Sequence, residues 1–336
     1  MQDYSNYMYE QQYHDQDLTQ YSFLVTGGAG FIGSNIVEYL IKYKAGKIRI
    51  LDNFSTGSRS NIKGFVANPS VEVIEGDIRD YDVCKMAVQE MDFVSHQAAL
   101  GSVPRSIENP LLTNEVNIHG FLNMLTAAKE AKLKRFVYAA SSSTYGDHPA
   151  LPKTESQIGN PLSPYAVTKY VNELYADVFS KVYNYHTIGL RYFNVFGPKQ
   201  SPNGPYAAVI PLFIHAALKK ESPVINGDGE TSRDFTYIEN VVQANIKALL
   251  HADVKKHDVL NIACGDQTTL NQLLSKISDI ASYPIKPVYQ KERSGDVQHS
   301  LASINKAKKV IGYNPQISVA EGLKRAYEWY QTLNAS

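Results

Sequence analysis

The sequence predicts an α/β protein: a doubly wound parallel sheet of the Rossmann-like type, with a smaller C-terminal α/β lobe. Three observations predict it. Short unbroken apolar runs alternate with stretches whose apolar residues recur every three or four positions. Parallel strands buried on both faces read as such runs, and crossover helices join them. A glycine-rich turn separates the first run from the first helical pattern.

Residues 1–20 stand apart. They hold Tyr4, Tyr7, Tyr9 and Tyr13, several Gln, four acids and no Lys or Arg. They read either as a loosely held polar tail or as a short helix whose tyrosines pack on the body. From Tyr21 the alternation begins. Phe23-Leu24-Val25 is a strand. A helix runs from Phe31 to Tyr43, with Ile32, Ile36, Val37, Leu40 and Ile41 on one face. Ile48 to Leu51, Val71 to Ile74, Phe93-Val94 and Phe136 to Ala139 continue the strand series, with helical patterns between them, one of them around Ala127 to Lys132. Residues 21–190 therefore form the dinucleotide-type domain, to which about 236–265 return. Residues 191–336 form mainly the second lobe, because Pro and Gly cluster over 197–205 and 223–229 and the patterns shorten.

Composition excludes several function classes. The chain has 336 residues, 33 Lys plus Arg and 33 Asp plus Glu. A zero balance argues against a general nucleic-acid binder. Two cysteines, Cys84 and Cys264, cannot build a disulfide framework or a Cys-based zinc site, and suit a reducing compartment. No apolar run has the roughly 18 residues of a membrane span, and no secretory signal is visible. A cytoplasmic location is expected. The nine histidines show no metal-binding spacing, and no G-x-S-x-G elbow is present.

The glycine turn carries chemistry. Thr26-Gly27-Gly28-Ala29-Gly30-Phe31-Ile32-Gly33 reads G-x-x-G-x-x-G. Gly27 permits a tight turn, and Gly30 lets a pyrophosphate reach the N–H groups of the helix N-terminus. Gly33 lets helix and strand pack closely. Asp52 ends the second strand 19 residues after Gly33. A carboxylate there accepts hydrogen bonds from the adenosine ribose and repels a 2′-phosphate, which favours NAD over NADP. The competing reading is a cap on the turn at Asn53. Asp77-Ile78 lies at another strand end, where Asp77 either meets the adenine or caps its own loop.

Tyr165 and Lys169 are four apart, hence on one helix face. A phenol that acts as a base near neutrality must fall from about 10 to about 7, or about 4 kcal/mol. A cation held close in a desolvated pocket supplies that kind of perturbation. Ser141-Ser142-Ser143-Thr144 follows an apolar strand, so at least one hydroxyl reaches the same crevice; a Ser-rich turn is the plain alternative. Arg233 and Arg293 sit in Gly/Asp-rich loops, where guanidinium forks match phosphates, although surface ion pairs are commoner for any one Arg.

With these motifs in hand, the chain resembles the extended short-chain dehydrogenase/reductases, in their nucleotide-sugar epimerase group. The resemblance runs from about Tyr21 to Trp329. It rests on T-G-G-A-G-F-I-G at Thr26, L-D-N-F-S-T-G at Leu51, G-D-I-R-D at Gly76 and H-Q-A-A at His96. It continues with S-S-S-T-Y-G at Ser141, S-P-Y-A-V-T-K at Ser163, R-Y-F-N-V-F-G-P at Arg191 and R-S-G-D at Arg293. A-A-L-G-S-V-P-R-S at Ala98, Y-A-A-V-I-P at Tyr206 and N-G-D-G-E-T-S-R-D-F at Asn226 look most like bacterial UDP-N-acetylglucosamine 4-epimerases of surface-polysaccharide synthesis.

The resemblance implies roles. Tyr165 is the catalytic base and acid, Lys169 binds the nicotinamide ribose and lowers the tyrosine pKa, and Ser141 is the catalytic hydroxyl. NAD is implied on Gly27, Gly30, Phe31, Ile32 and Gly33, on Asp52, Asn53, Ser55, Thr56 and Gly57, and on Asp77, Ile78, Gln97, Tyr165, Lys169 and Tyr192. The UDP-sugar is implied on Ser102, Ser141, Ser142 and Ser143, on Asn194, Val209 and Asn226, and on Arg233, Arg293 and Asp296, the arginines holding its pyrophosphate. Dehydratases of the family carry an Asp-Glu pair where this chain has Ser142 and Ser143, which counts against dehydration. Ser300 stands where relatives restricted to non-acetylated sugars carry tyrosine, and leaves room for an N-acetyl group. A homodimer packed through Leu111 to Lys132 and Pro164 to Tyr183 is implied. Two rival readings remain: a UDP-hexuronic acid 4-epimerase or UDP-sugar decarboxylase, for which Arg105 is the cation to watch, and a non-catalytic NAD-sensing protein.

Overall fold

In the computed structural model, which describes residues 8–202, 207–251, 253–291 and 298–334, seven parallel strands form one sheet. In chain order the first six are β1 (Ser22–Thr26), β2 (Lys47–Asp52), β3 (Val71–Glu75), β4 (Phe93–His96), β5 (Arg135–Ser141) and β6 (Thr187–Tyr192). The seventh is Asp258–Ile262, and across the sheet the order is Asp258–Ile262, β6, β5, β4, β1, β2, β3. The expected doubly wound sheet is therefore present. The chain runs outward from β1 to β3, then returns to place β4 on the other side of β1. That reversal opens a crevice at the C-terminal ends of β1 and β4.

Both faces of the sheet are covered, which explains the unbroken apolar runs. Phe23 and Val25 point to one layer and Leu24 to the other; Val137 and its neighbours Phe136 and Tyr138 divide the same way. One layer holds Ile36, Val37 and Leu40 of the helix Phe31–Lys42, with Val241 and Leu249 of the helix Ile238–Leu250. The other holds Phe121 and Leu125 of the helix Phe121–Glu130, with Ala176 and Phe179 of the helix Pro164–Tyr183. Each fully buried side chain of this size contributes about 1.5–3 kcal/mol, against at most about 1 kcal/mol for an exposed ion pair. The two layers, not the surface charges, hold the fold.

The structure departs from the expected elements in two places. The pattern read as one helix from Leu111 to Lys132 is broken into Pro110–Asn114, a π-helical turn Glu115–Gly120 and Phe121–Glu130. In that turn Asn117 faces inward and grips the backbone of Leu100, accepting from its N–H at 2.8 Å and donating to its carbonyl at 3.2 Å. The N-terminal segment is neither loose nor helical through its described part. Residues 8–17 form an irregular strap on the body, and only Leu18–Gln20 is helical, as a 3-10 helix capped by Asp17. Its buried Tyr9 and Tyr13 explain the difference: each packs on Tyr39 of the helix Phe31–Lys42, Tyr13 face to face at 5.3 Å.

Beyond β6, apart from Asp258–Ile262, the strands shorten to two or three residues. Val195–Phe196 pairs with Thr236–Tyr237, Ser232–Arg233 with Thr268–Thr269, and Val224–Asn226 with Val288–Gln290. The helices Val209–Lys219, Leu270–Ala281 and Val319–Asn334 pack around them. Among the described residues no helix is long and apolar enough to cross a membrane.

Candidate active site

The turn after β1 shows what its glycines are for. Gly27 has φ +65°, a conformation that disfavours side chains, and a Cβ on Gly33 would lie 2.1 Å from the Gly27 carbonyl oxygen. The helix Phe31–Lys42 can thus start directly against the loop. Its N-cap is Gly30, and no side chain caps it. Its first N–H groups face the crevice, with the positive end of the helix dipole behind them.

Asp52, the last residue of β2, is buried beside this turn. Its carboxylate accepts from the Ala29 N–H at 2.9 Å and the Phe54 N–H at 2.8 Å. It does cap its own turn, and it also lines the crevice. Burial pushes its pKa up against the two N–H bonds. Asp77 takes both of its readings too. It accepts from the Arg79 backbone and side chain and from Asn53 Nδ2, and it lines the cleft. The Arg79 guanidinium holds its carboxyl down at about 2.

Every expected cofactor residue lines one cleft of about 520 Å³: Gly27, Gly30 and Gly33 with Phe31 and Ile32, then Asp52, Asn53, Ser55, Thr56 and Gly57, and Asp77, Ile78, Gln97, Tyr165, Lys169 and Tyr192. On its floor Gln97 donates to Ser95 and to Asn245 and accepts from the Tyr192 hydroxyl at 3.1 Å. Asn245 completes the network by donating to Tyr192 at 2.8 Å. Sequence reasoning missed Asn245. Its one signal was a polar side chain on the buried face of an apolar helix.

Tyr165 and Lys169 lie in the first two turns of Pro164–Tyr183. That helix starts where it does because Ser163 caps it through the Ala166 N–H at 3.1 Å and Pro164 opens it. Ser141 ends β5 opposite them. Its hydroxyl accepts from the Ser143 N–H and hydroxyl, and it shares the cleft wall with the Tyr165 phenol. Lys169 is buried, its Nζ donates to the Ala139 carbonyl at 2.8 Å, and it stands 5.9 Å from the Tyr165 ring centre. Burial brings the Lys169 pKa down to about 8. The phenol does not show the lowering expected from that lysine. Burial raises the Tyr165 pKa, and the neighbouring Ser141 hydroxyl is what opposes it. In this state desolvation of the phenolate outweighs the ammonium, whose nearest partner is a carbonyl.

The expected substrate residues divide. Ser102, Ser141 and Asn194 line the same cleft. Asn194, Val209, Asn226 and Arg233 line an adjoining one of about 600 Å³, and the two share Asn194, Val195, Ala207 and Ala208. Ser142 and Ser143 line neither, Ser143 touching Ser141 instead. Ser300 lines neither and reaches the Arg233 strand through its N–H to the Ser232 carbonyl at 3.1 Å. Arg293 and Asp296 lie outside the described residues.

Asn194 has φ +37°, and its amide donates to the Asp234 carbonyl at 2.9 Å. Asp234 itself is fully buried. Its carboxylate accepts from the N–H groups of Cys264, Gly265 and Ala302 at 3.0–3.2 Å, and burial pushes its pKa up to about 7. It gathers three loops behind the second cleft; the stretch N-G-D-G-E-T-S-R-D-F contains it, but nothing in that stretch pointed to this role.

The first cleft fits a dinucleotide. It offers an uncapped helix N-terminus for a pyrophosphate, a carboxylate at the end of β2 for a ribose, and a Tyr–Lys–Ser group at its far wall. Among the described residues no cluster of three His, Cys, Asp or Glu side chains could hold a metal ion.

Comparison with known proteins follows this geometry. Residues 23–263 match the NAD dependent epimerase/dehydratase family. A putative UDP-glucose 4-epimerase of Methanocaldococcus jannaschii is 39% identical over 313 residues, 93% of this chain and 99% of that protein. The solved UDP-N-acetylglucosamine 4-epimerase from Methanobrevibacter ruminantium M1, in complex with UDP-N-acetylmuramic acid, is 41% identical with a TM-score of 0.88, covering 93% of this chain and 99% of that one. The UDP-glucuronic acid 4-epimerase from Bacillus cereus, in complex with UDP-glucuronic acid and NAD, is 30% identical with a TM-score of 0.86, again over 93% and 99%.

Proposed function

The chain belongs to the NAD-dependent epimerase/dehydratase family, and from that premise we propose that it interconverts UDP-N-acetylglucosamine and UDP-N-acetylgalactosamine by inverting C4 through a 4-keto sugar. The observation that carries this reading is the meeting of Ser141, Tyr165 and Lys169 in a cleft continuous with the one that holds Arg233. Likeness to the UDP-N-acetylglucosamine 4-epimerase supports the acetylated sugar, as does the small Ser300 beside the Arg233 strand.

When bound, oxidised NAD supplies a reversible two-electron acceptor and a positive charge that favours the Tyr165 phenolate. Gly27, Gly30, Gly33 and Asp52 hold it at one end and Lys169 at the other. Tyr165 takes the proton of the sugar C4 hydroxyl, directly or through Ser141, and returns it to the C4 oxygen once the sugar presents its opposite face. Arg233, with Arg293, anchors the pyrophosphate while the keto sugar turns over. Ser142 and Ser143 offer no carboxylic acid to expel water. Among the described residues the only carboxylates lining the first cleft are Asp52 and Asp77, both at the adenosine end.

A second reading, 4-epimerisation of a UDP-hexuronic acid, has one observation in its favour: Arg105 lines the first cleft near Ser102. The chain is further proposed to act in the cytoplasm as a homodimer. The helix Pro164–Tyr183 leaves Val167, Leu174, Val178 and Val182 exposed, and Val103, Ile107 and Leu111 extend that apolar surface on the helices packed beside it. Light scattering on the purified chain reads the dimer directly; a monomer at micromolar concentration refutes it.

The deciding experiment is a product assay. The purified protein is incubated with UDP-N-acetylglucosamine without added NAD, and the nucleotide sugars are separated by chromatography. UDP-N-acetylgalactosamine is the expected product. None, even after NAD is added, overturns the acetylated-sugar reading, and conversion of UDP-glucuronic acid alone establishes the second one.

A further inference from the structure

The N-terminal strap is the one sequence feature the reaction leaves unused. Tyr9 is buried, and its hydroxyl donates to Asn35 Oδ1 at 2.7 Å. Asn35, itself fully buried, lies in the second turn of the helix Phe31–Lys42. Its amide donates to the Phe31 carbonyl at 2.9 Å and to the Pro198 carbonyl at 3.2 Å. Phe31 opens that helix and lines the cofactor cleft. The stretch after Pro198 lines the same cleft at Gln200 and Ser201. Asn35 therefore joins two walls of the cleft from behind, and Tyr9 closes its remaining valence.

The strap is fastened around this bond by groups from three other helical positions. Tyr9 N–H donates to Glu239 Oε2 at 3.1 Å, and Glu239 is in turn paired with Arg325 at 2.8 Å. Lys42 donates to the Met8 carbonyl at 2.6 Å and the Tyr43 hydroxyl to the Tyr9 carbonyl at 2.8 Å. Beside Asn35, Lys199 pairs with Glu38 at 2.5 Å, so the 198–199 backbone is held to the helix twice.

We infer that Tyr9 is a positioning residue for the dinucleotide: through Asn35 it fixes the first turn of the cofactor helix against the Pro198 loop, and the strap thereby sets how firmly the chain keeps NAD. The physical reason is pre-organisation. A helix N-terminus already held in its binding geometry loses little freedom when an anion docks there. Removing the phenol leaves Asn35 Oδ1 buried and unpaired, so the amide is drawn away from Phe31 or Pro198 to find a new partner.

The inference rests on NAD as the resident cofactor, and the test separates the two. NAD and UDP affinities are measured by calorimetry on nucleotide-depleted full-length protein, unmodified and as Tyr9→Phe, with melting temperatures alongside. Tyr13→Phe is the control, since it keeps the stack on Tyr39 and leaves the Asn35 bond in place. The expected result is NAD binding weaker by about 5- to 10-fold in Tyr9→Phe, UDP binding unchanged, and Tyr13→Phe like the unmodified chain. NAD binding unchanged in Tyr9→Phe, or NAD and UDP weakened alike, overturns the inference and leaves the strap a general brace. An unmodified chain that binds no NAD overturns the cofactor assignment and the inference with it.

Discussion

The two clefts are built in opposite ways. The walls of the cofactor cleft are mostly strand ends and helix starts: the turn after β1, Asp52 at the end of β2, Ser141 at the end of β5 and the first turns of Pro164–Tyr183. A parallel sheet buried on both faces fixes all of these at once. The second cleft gathers residues from Asn194 to Leu270: one side of the helix Val209–Lys219, with loops and two- or three-residue strands around it. Its loops are held by single side chains, Asp234 above all. A site that hangs on a sheet carries chemistry that must not vary, and one that hangs on a few side chains can carry selectivity.

The largest expected effect lies on the sheet side. Tyr165→Phe should lower turnover about 1,000-fold while NAD content and UDP affinity stay within about 2-fold of the unmodified chain. Steady-state kinetics with calorimetry decide it, and near-normal turnover would remove Tyr165 from the reaction. On the loop side, Arg233→Ala should raise KM for the UDP-sugar about 10- to 100-fold, the loss of a charge-assisted contact, without changing NAD content. If NAD leaves as well, the clefts are not separate in function and the contrast fails.

Ser300→Tyr should sharpen the contrast. Turnover of the acetylated sugar is expected to fall about 10-fold relative to UDP-glucose. An unchanged ratio removes Ser300 from the sugar-size decision. The smallest effect is one of stability. Asp234 holds its proton up to about pH 7 when folded, against 3.8 as its ordinary value. The folded chain therefore binds more protons than the unfolded one between those values. Its contribution to stability is full below about pH 4 and is lost as pH rises through 7. Asp234→Asn lacks this dependence, so between pH 5 and 8 the unmodified chain should lose a few degrees of melting temperature more than the variant. Parallel melting curves refute the buried-charge account.

The same contrast explains what the sequence could reveal. The sheet was legible because each strand is an unbroken apolar run, and the cofactor cleft because glycines, Asp52 and the Tyr165–Lys169 spacing are local signals. Asn245 and Asp234 were not legible, since their partners lie 148 residues away at Gln97 and 68 away at Ala302. The upward direction of the Tyr165 pKa was not legible for a related reason. Spacing sets the lysine close by, but burial and the Ala139 carbonyl, both tertiary facts, decide the balance. The strap escaped because its tyrosines have no internal period: they are matched to Tyr39 and Asn35 of another element.

The seam between the clefts has a consequence for how such a chain can change over generations. Among the described residues, only Asn194, Val195, Ala207 and Ala208 face both sides. On the proposed function, mutations in the loops beyond that seam would alter which sugar is held while the redox machinery is inherited intact. A lineage can then explore new substrates one residue at a time, with no intermediate that has lost its catalyst.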